Sequence, residues 1–316
     1  MAVNPVGRRV YVSNHLSNTV SVIDATSNAV IGSPIAVGVG PYGVAAAPGG
    51  RWIYVANYFS NTVSVINPAN NAVIASIAVG SRPVGLAVTP SGHKIYVTSY
   101  KEAASVSVID TATKAVIGAP IPVGDYPYSL AITPDGSKIY VANYGSASVS
   151  VIDTKTNAVV AAIKVGGNPD GVAVTPDGGK VYVANQLDNT VTVIDAATNA
   201  VIGSPIAVGR APLGVAVTPD GSRAYVANYY SNTVSVIDTA TDAVIGSRIP
   251  VGVSPAAFGP FIQPTATFAG TPGLENCVRQ SINTLERRYG SLATTAKVLG
   301  YDGPPTLRKA IRRYCG

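Results

Sequence analysis

Residues 169–209 read PDGVAVTPDGGKVYVANQLDNTVTVIDAATNAVIGSPIAVG, and they contain four short segments rich in Val, Ile and Ala. Turn-forming residues separate these segments: Thr-Pro-Asp-Gly follows the first, and Asp-Ala-Ala-Thr-Asn follows the third. Short β-branched runs bounded by Gly, Pro, Asn and Asp are typical of β-strands. The stretch therefore predicts four successive strands, which we label A, B, C and D in chain order.

The same four-segment unit recurs along most of the chain. Its strand-B tyrosine returns every 42 to 44 residues, at Tyr11, Tyr54, Tyr96, Tyr140, Tyr182 and Tyr225. Four strands in about 43 residues correspond to one blade of a β-propeller. The sequence therefore predicts an all-β fold over residues 1–263, a six-bladed β-propeller with four-stranded antiparallel blades.

The ends of the repeat region leave two interpretations of the ring. Residues 2–5 align only with the end of a strand A, and residues 256–262 stand at the strand-A position after the sixth strand D. In one interpretation residues 256–262 pair into the first blade and close a six-bladed ring, which removes exposed sheet edges. In the other, the chain derives from a seven-bladed parent and lacks the first blade.

The repeated motifs YVAN, SVID and TPDG at this spacing resemble the YVTN-type β-propeller repeats of bacterial and archaeal surface proteins. The resemblance covers roughly residues 1–263. It implies a propeller that is extracellular, periplasmic or associated with the cell surface. Related propellers include lactonase-like enzymes, which often have seven blades, so the resemblance also implies a hydrolase as an alternative.

Composition excludes several functional classes. Charged residues make up 12% of the chain, the formal net charge is +6, and the chain has two cysteines and two histidines. These counts exclude a disulfide-dense scaffold and most His/Cys metal sites, so we expect neither a metal nor a cofactor. No apolar run is long enough for a membrane-spanning helix. The N-terminal sequence MAVNPVGRRVYVSN lacks a signal-peptide pattern, although the gene start can be trimmed.

Candidate binding residues concentrate at one end of the predicted blades. In an antiparallel blade the D–A and B–C loops share one face, which we call the mouth face. Tyrosine offers a rigid amphipathic surface that suits binding. We expect this face to bind a glycan, a peptide or a protein, and the alternative is that the rings only plug the channel. The candidates are His15, Tyr42, Tyr58, Arg82, Tyr100, Asp125, Tyr126, Tyr128, Tyr144, Asp170, Arg210, Tyr229 and Tyr230.

Catalytic residues are not evident in the propeller sequence. Catalysis needs titratable groups that converge in a pocket. His93 lies in an A–B turn on the opposite face, and His15 and Glu102 come from different blades. We therefore favour a non-enzymatic binding propeller and keep a lactonase-like hydrolase acting in the channel as the alternative.

The C-terminal region changes character. Residues 264–274 form a Pro/Thr/Gly linker, and the apolar spacing of residues 275–316 predicts a small α-helical mini-domain. Cys277 and Cys315 lie at opposite ends of this segment and predict a disulfide. A unit this small has too little hydrophobic core to fold stably without a covalent cross-link. The segment is similar to Cys-bracketed helical tails of exported bacterial proteins and, in part, to a Fis-type helix-turn-helix. The basic residues of the third predicted helix suggest contact with an anionic envelope polymer or a partner, and nucleic-acid binding is kept as a third function. The alternative is that they form only a solvated basic face. These residues are Arg308, Lys309, Arg312 and Arg313.

Overall fold

The structure is a computed structural model that describes residues 1–5, 9–101 and 104–256, together with isolated positions between 282 and 311. The predicted propeller is confirmed. The described strands form six separate antiparallel sheets, each of them one blade.

The first three blades have the following strands. Blade 1 contains β1 (Ala2–Asn4), β2 (Arg9–Asn14), β3 (Thr19–Asp24), β4 (Ala29–Val30) and β5 (Ile35–Ala36). Blade 2 contains β6 (Pro41–Ala46), β7 (Ile53–Asn57), β8 (Thr62–Asn67) and β9 (Ala72–Ala78). Blade 3 contains β10 (Pro83–Val88), β11 (Lys94–Ser99), β12 (Ser105–Asp110), β13 (Ala115–Val116) and β14 (Ile121–Pro122).

The last three blades repeat this plan. Blade 4 contains β15 (Pro127–Ile132), β16 (Lys138–Asn143), β17 (Ser148–Asp153) and β18 (Ala158–Lys164). Blade 5 contains β19 (Pro169–Val174), β20 (Lys180–Asn185), β21 (Thr190–Asp195) and β22 (Ala200–Ala207). Blade 6 contains β23 (Pro212–Val217), β24 (Arg223–Asn228), β25 (Thr233–Asp238), β26 (Ala243–Val244) and β27 (Ile249–Pro250). In blades 1, 3 and 6 the predicted strand D is split into two short strands that both pair with strand C.

Strand A begins with a bulge. In blade 4, Pro127 pairs with Asn143, but the next pair is Leu130 with Val141, so strand A carries one extra residue. The same shift follows the first proline of strand A in blades 2, 3, 5 and 6. A β-bulge changes the direction of a side chain next to it. The residue after the proline is therefore placed differently from the rest of the strand.

Adjacent blades pack through apolar clusters. Tyr140 of blade 4 is fully buried and packs with Val181 and Ile194 of blade 5. Its hydroxyl donates to the Asn199 side chain of the next blade at 2.9 Å. Burial raises the pKa of Tyr140 to about 12, so the hydroxyl remains a donor. Equivalent clusters join blade 1 to 2, 2 to 3, 3 to 4 and 5 to 6, which explains why the strand-B tyrosine recurs.

The junction of blade 6 with blade 1, which we call the seam, differs from the other five. Ile249 of blade 6 is 45% exposed, whereas its counterpart Ile163 in blade 4 is 7% exposed. Tyr225 is only half-buried, although the other five strand-B tyrosines are at most 1% exposed. On the blade 1 side, three positions that are fully buried in the other blades are half-buried: Val10, Val12 and Ile23. Among the described residues, the seam therefore lacks the close packing of the other junctions.

This contrast predicts unequal costs for two matched substitutions. Ile163→Ala should reduce the free energy of unfolding by about 3 kcal/mol, because it leaves a cavity in a packed interface. Ile249→Ala should cost less than about 1 kcal/mol, because much of its side chain already contacts water. Urea denaturation of both variants tests this, and equal losses would mean that the seam is covered in solution.

The remaining sequence predictions for the C-terminus fall mostly outside the described residues. Residues 257–262, which are all but the first residue of the segment predicted to pair into blade 1, lie there, as do Cys277 and Cys315. The described positions in the tail have helical conformation except Ser291 and Gly303, which lie in bends, and Leu285, Leu307 and Ile311 are buried. The mini-domain, the linker boundaries and the disulfide therefore stay predictions.

Candidate binding face at the channel mouth

The D–A and B–C loops are joined by backbone hydrogen bonds. The amide of Tyr58 in the B–C loop of blade 2 donates to the carbonyl of Gly40 in the preceding D–A loop at 2.9 Å. The amide of Tyr100 donates in the same way to Arg82 at 3.0 Å. The bond recurs between Tyr144 and Tyr126, Gln186 and Asn168, and Tyr229 and Ala211. The two loop sets therefore lie together on the mouth face.

The residue before the strand-A proline has a left-handed backbone. Its φ is +53° at Arg82 and +50° at Tyr126. A side chain disfavours this conformation, which Gly40 adopts at the same repeat position with φ +67°. At Arg82 the side chain of Asn61 stabilises it by accepting from the Arg82 amide at 2.8 Å. Non-glycine residues held in such a backbone are found preferentially at functional sites.

Aromatic rings form a continuous cluster over blades 1 to 4. Tyr42 contacts His15 with centroids 5.5 Å apart and Tyr58 at 6.1 Å. Tyr100 contacts Tyr58 at 6.3 Å and Tyr128 at 5.8 Å. The cluster extends to Tyr126 and Tyr144. Much of the tyrosine surface is thus used in ring packing, as the plug interpretation expects.

The cluster continues to blade 5 by a hydrogen bond and carries one cation. The Tyr144 hydroxyl donates to the Gln186 side chain at 2.7 Å. The Arg82 guanidinium lies 5.5 Å from the centre of the Tyr58 ring, which is a cation–π distance. Tyr229 and Tyr230 of blade 6 contact each other at 5.1 Å. One tyrosine ring of the mouth face, that of Tyr58, therefore already holds a positive charge.

A second set of side chains on the mouth face is exposed and apolar, and we call it the crown. Phe59 is 59% exposed, and Leu187 and Tyr230 are each 67% exposed. The complete set is Leu16, Val39, Phe59, Tyr126, Leu187, Tyr230 and Val253. In the part of the chain that the structure describes, the A–B and C–D turns on the opposite face expose no large apolar side chain. Clustered exposed apolar residues mark interaction surfaces more often than isolated ones do.

The bulged position of strand A places five side chains around the channel, and we call this set the inner ring. Its members are Tyr42, Val84, Tyr128, Asp170 and Leu213. The hydroxyls of Tyr42 and Tyr128 are hydrogen-bonded to each other. A cavity of about 30 Å³ lies between strands A of blades 2, 3 and 4, and both tyrosines line it. It has room for a group of about the size of a water molecule.

Asp170 is the charged member of the inner ring. It is 3% exposed, and its Oδ1 has no hydrogen-bond partner. Burial raises the pKa of Asp170 well above its ordinary value. Its negative charge also raises the pKa of Tyr42 and of Tyr128, although burial is the larger cause at both phenols. A buried, unpaired carboxyl with a perturbed pKa is a candidate functional group.

The structure corrects one sequence expectation. Tyr42, Tyr128 and Asp170 were placed in the loops before strand A or in B–C loops, but they lie in strands β6, β15 and β19. The reason is that strand A already begins at the proline, which pairs with the strand-B asparagine. The other propeller candidates do lie in the mouth loops: His15, Tyr58, Arg82, Tyr100, Asp125, Tyr126, Tyr144, Arg210, Tyr229 and Tyr230.

Sequence reasoning missed most of the crown. Leu16, Phe59, Leu187 and Tyr230 all stand two positions after the last asparagine of strand B. Aligning this position across the repeats would have revealed large apolar residues in four of six blades. Of the predicted tail contacts, Arg308 is exposed, whereas Lys309, Arg312 and Arg313 lie outside the described residues.

The described residues contain no group of three His, Cys, Asp or Glu side chains arranged to hold a metal ion. They also contain no helix with the length and apolar character to span a bilayer.

Comparisons with known proteins agree with the fold. The family model described as "Lactonase, 7-bladed beta-propeller" matches residues 158–260, about a third of the chain. A solved structure from Kuenenia stuttgartiensis, described as hydrazine synthase, is similar with a TM-score of 0.73 and 26% sequence identity. That similarity covers 81% of this chain and 87% of the other. No curated protein matches.

Proposed function

We propose that this protein is a non-enzymatic binding propeller that captures a peptide or protein segment on its mouth face. The observation that carries the proposal is the crown, because exposed large apolar loop side chains occur on this face and not on the described turns of the other. Interfaces are built around buried aromatic and apolar anchors of this kind. The resemblance to surface-protein repeats supports an exported or cell-surface location.

The chemistry of the crown favours a peptide or protein over a glycan. Leu16, Val39, Leu187 and Val253 are aliphatic and have no polar side-chain atom. A sugar needs hydrogen-bonding partners as well as aromatic faces, whereas an apolar peptide side chain gains by burying aliphatic surface. The half-buried tyrosines of the aromatic cluster, such as Tyr58, pack against one another and are therefore expected to be rigid.

Selection from a phage-displayed random-peptide library tests the proposal. The purified chain should enrich peptides, and the triple variant Phe59→Ser, Leu187→Ser and Tyr230→Ser should bind them at least about tenfold more weakly. These side chains are exposed, so the variant should keep the parent melting temperature.

A matched control removes the same kind of surface elsewhere. Val73, Val160 and Val201 are exposed on the outer strands of blades 2, 4 and 5, at 39%, 55% and 41%. Their triple replacement by serine should leave peptide binding unchanged. Equal losses in both variants, or enrichment no greater than on an unrelated protein, would reject the crown as the binding face.

The family-model match favours a second candidate, a lactonase-like hydrolase acting in the channel. The matched residues include Asp170, and a carboxyl with a raised pKa suits general acid–base chemistry near neutral pH. Turnover of a simple lactone by the purified chain, abolished in Asp170→Asn and reduced in Arg82→Ala, would replace the binding proposal with this one. Arg210→Ala tests the remaining arginine of the mouth in the same assay.

A further inference from the structure

Asp170 is a buried carboxyl for which the described residues supply no counter-charge. Among the described residues, the salt bridge that the structure contains joins Lys180 to Asp242, not Asp170 to a cation. On the blade 6 side its neighbour in the inner ring is Leu213, which is 7% exposed and offers no hydrogen-bond donor in its side chain. A buried carboxyl without a hydrogen-bond partner destabilises the folded protein, because it has lost its contacts with water. A ligand that supplies hydrogen-bond donors would recover that cost.

The polar atoms of the inner ring have a definite composition. They are the carboxyl of Asp170 and the hydroxyls of Tyr42 and Tyr128, whose oxygens can all accept hydrogen bonds. Because burial raises the pKa of Asp170, a bound cation pairs with its carboxylate only after this carboxyl has released its proton. The cavity of about 30 Å³ that the two tyrosines line admits only a small head group. Asp170 is not part of this lining, but its charge acts on both phenols and raises their pKa. The two tyrosines also belong to the aromatic cluster, in which their rings contact each other. This combination of ring faces with one carboxylate is suited to a cation.

We propose that the inner ring binds a primary ammonium group at the end of an alkyl chain, such as the lysine side chain of a bound peptide. The proposal rests on the proposed function and adds to it the chemistry of the inserted residue. An ammonium group has three N–H donors, which match the three oxygens of Asp170, Tyr42 and Tyr128. The alkyl chain would pass between the tyrosine rings, and Arg82 over the Tyr58 ring shows that these faces already hold a cation.

The mouth loops do not set the sign of the ligand charge. Arg82, Lys101 and Arg210 lie in these loops with Asp125 and Asp188, so positive and negative groups are mixed there. Exposed charges of this kind are screened by salt. The buried Asp170 is screened much less, and selectivity for a cation therefore depends on it.

Calorimetry with a matched pair of probes tests the proposal. N-acetyl-lysine methylamide should bind the full chain, and N-acetyl-norleucine methylamide, which lacks the ammonium group, should bind at least about tenfold more weakly. Asp170→Asn should remove this preference. The control Asp188→Asn makes the same charge change in a mouth loop and keeps an acceptor for the Gly167 amide, which donates to it at 2.8 Å. It should retain the preference.

The outcomes separate this proposal from the proposed function. Equal binding of both probes, or a lysine preference that persists in Asp170→Asn, would overturn the ammonium site. If crown-dependent peptides are enriched without lysine, the ammonium site is wrong and the proposed function stands. If lysine binding depends on Asp170 but no peptide needs the crown, the site stands alone. Asp170→Asn is not expected to misfold, and its thermal melting and near-ultraviolet circular dichroism verify this.

Discussion

Gly171→Ala should reduce the free energy of unfolding by about 3 kcal/mol, the upper part of the range for overpacking a close-packed interior. Gly171 lies in strand β19 next to the inner ring. An added Cβ would press against the carbonyl oxygen of Leu213 and lie 2.9 Å from the Cα of Gly214. These are backbone atoms of the neighbouring strand A, so relief requires two blades to separate rather than one side chain to turn.

Gly179→Ala is the matched control in the same blade. The nearest atoms to a Cβ there belong to the Asp177 side chain at 3.5 Å, which is ordinary contact. This variant should be neutral or slightly more stable than the parent, because alanine restricts the unfolded chain. Urea denaturation of both proteins measures the difference. Similar stabilities for the two variants would show that the A strands of blades 5 and 6 lie farther apart in solution than in the structure.

Asp170→Asn should make the protein more stable at neutral pH, and the gain should disappear in acid. In the unfolded chain the Asp170 carboxyl has the ordinary aspartate pKa of about 4, whereas burial raises it in the folded protein. As the pH rises above the unfolded value, the unfolded chain loses its proton while the folded protein keeps it. Folding then weakens by about 1.4 kcal/mol per pH unit until the pH passes the folded pKa. Asparagine does not titrate, so the variant lacks this loss.

The measurement is the difference in free energy of unfolding between parent and variant across the acid-to-neutral range. It should be close to zero where both states are protonated and should grow in favour of Asp170→Asn with rising pH. A variant that is less stable than the parent at neutral pH would mean that Asp170 is ionised and paired in the folded protein. Replacement of a ligand-binding group often makes a protein more stable, because such groups are kept for function at a cost in stability.

Local signals in the sequence predicted the blades well. The short β-branched runs, such as the SVID strands, and the Thr-Pro-Asp-Gly turns that bound them depend on residues close together in the chain. The sequence also showed that the strand-B tyrosine recurs, and the structure adds the reason, because Tyr140 packs against the neighbouring blade. The tyrosine-rich face followed from antiparallel topology alone.

Other properties depended on what surrounds each residue. The positions of Tyr128 and Asp170 in the channel follow from a bulge, which is a matter of pairing register between two strands. The exposure of Phe59 and of Ile249 depends on whether another part of the molecule covers them. The bulge does recur after the same proline in blades 2 to 6, but the proline alone does not show how its strand pairs with the next.

The sequence alone therefore determined the fold, its repeat and the face that carries the variable loops, because strand formation and turn chemistry are local. The tertiary structure decided that a carboxyl is buried without a partner beside two phenols and that the junction of blades 6 and 1 is packed less closely. Both depend on distances between residues that are far apart in the chain, and those distances exist only once the blades are arranged around the channel.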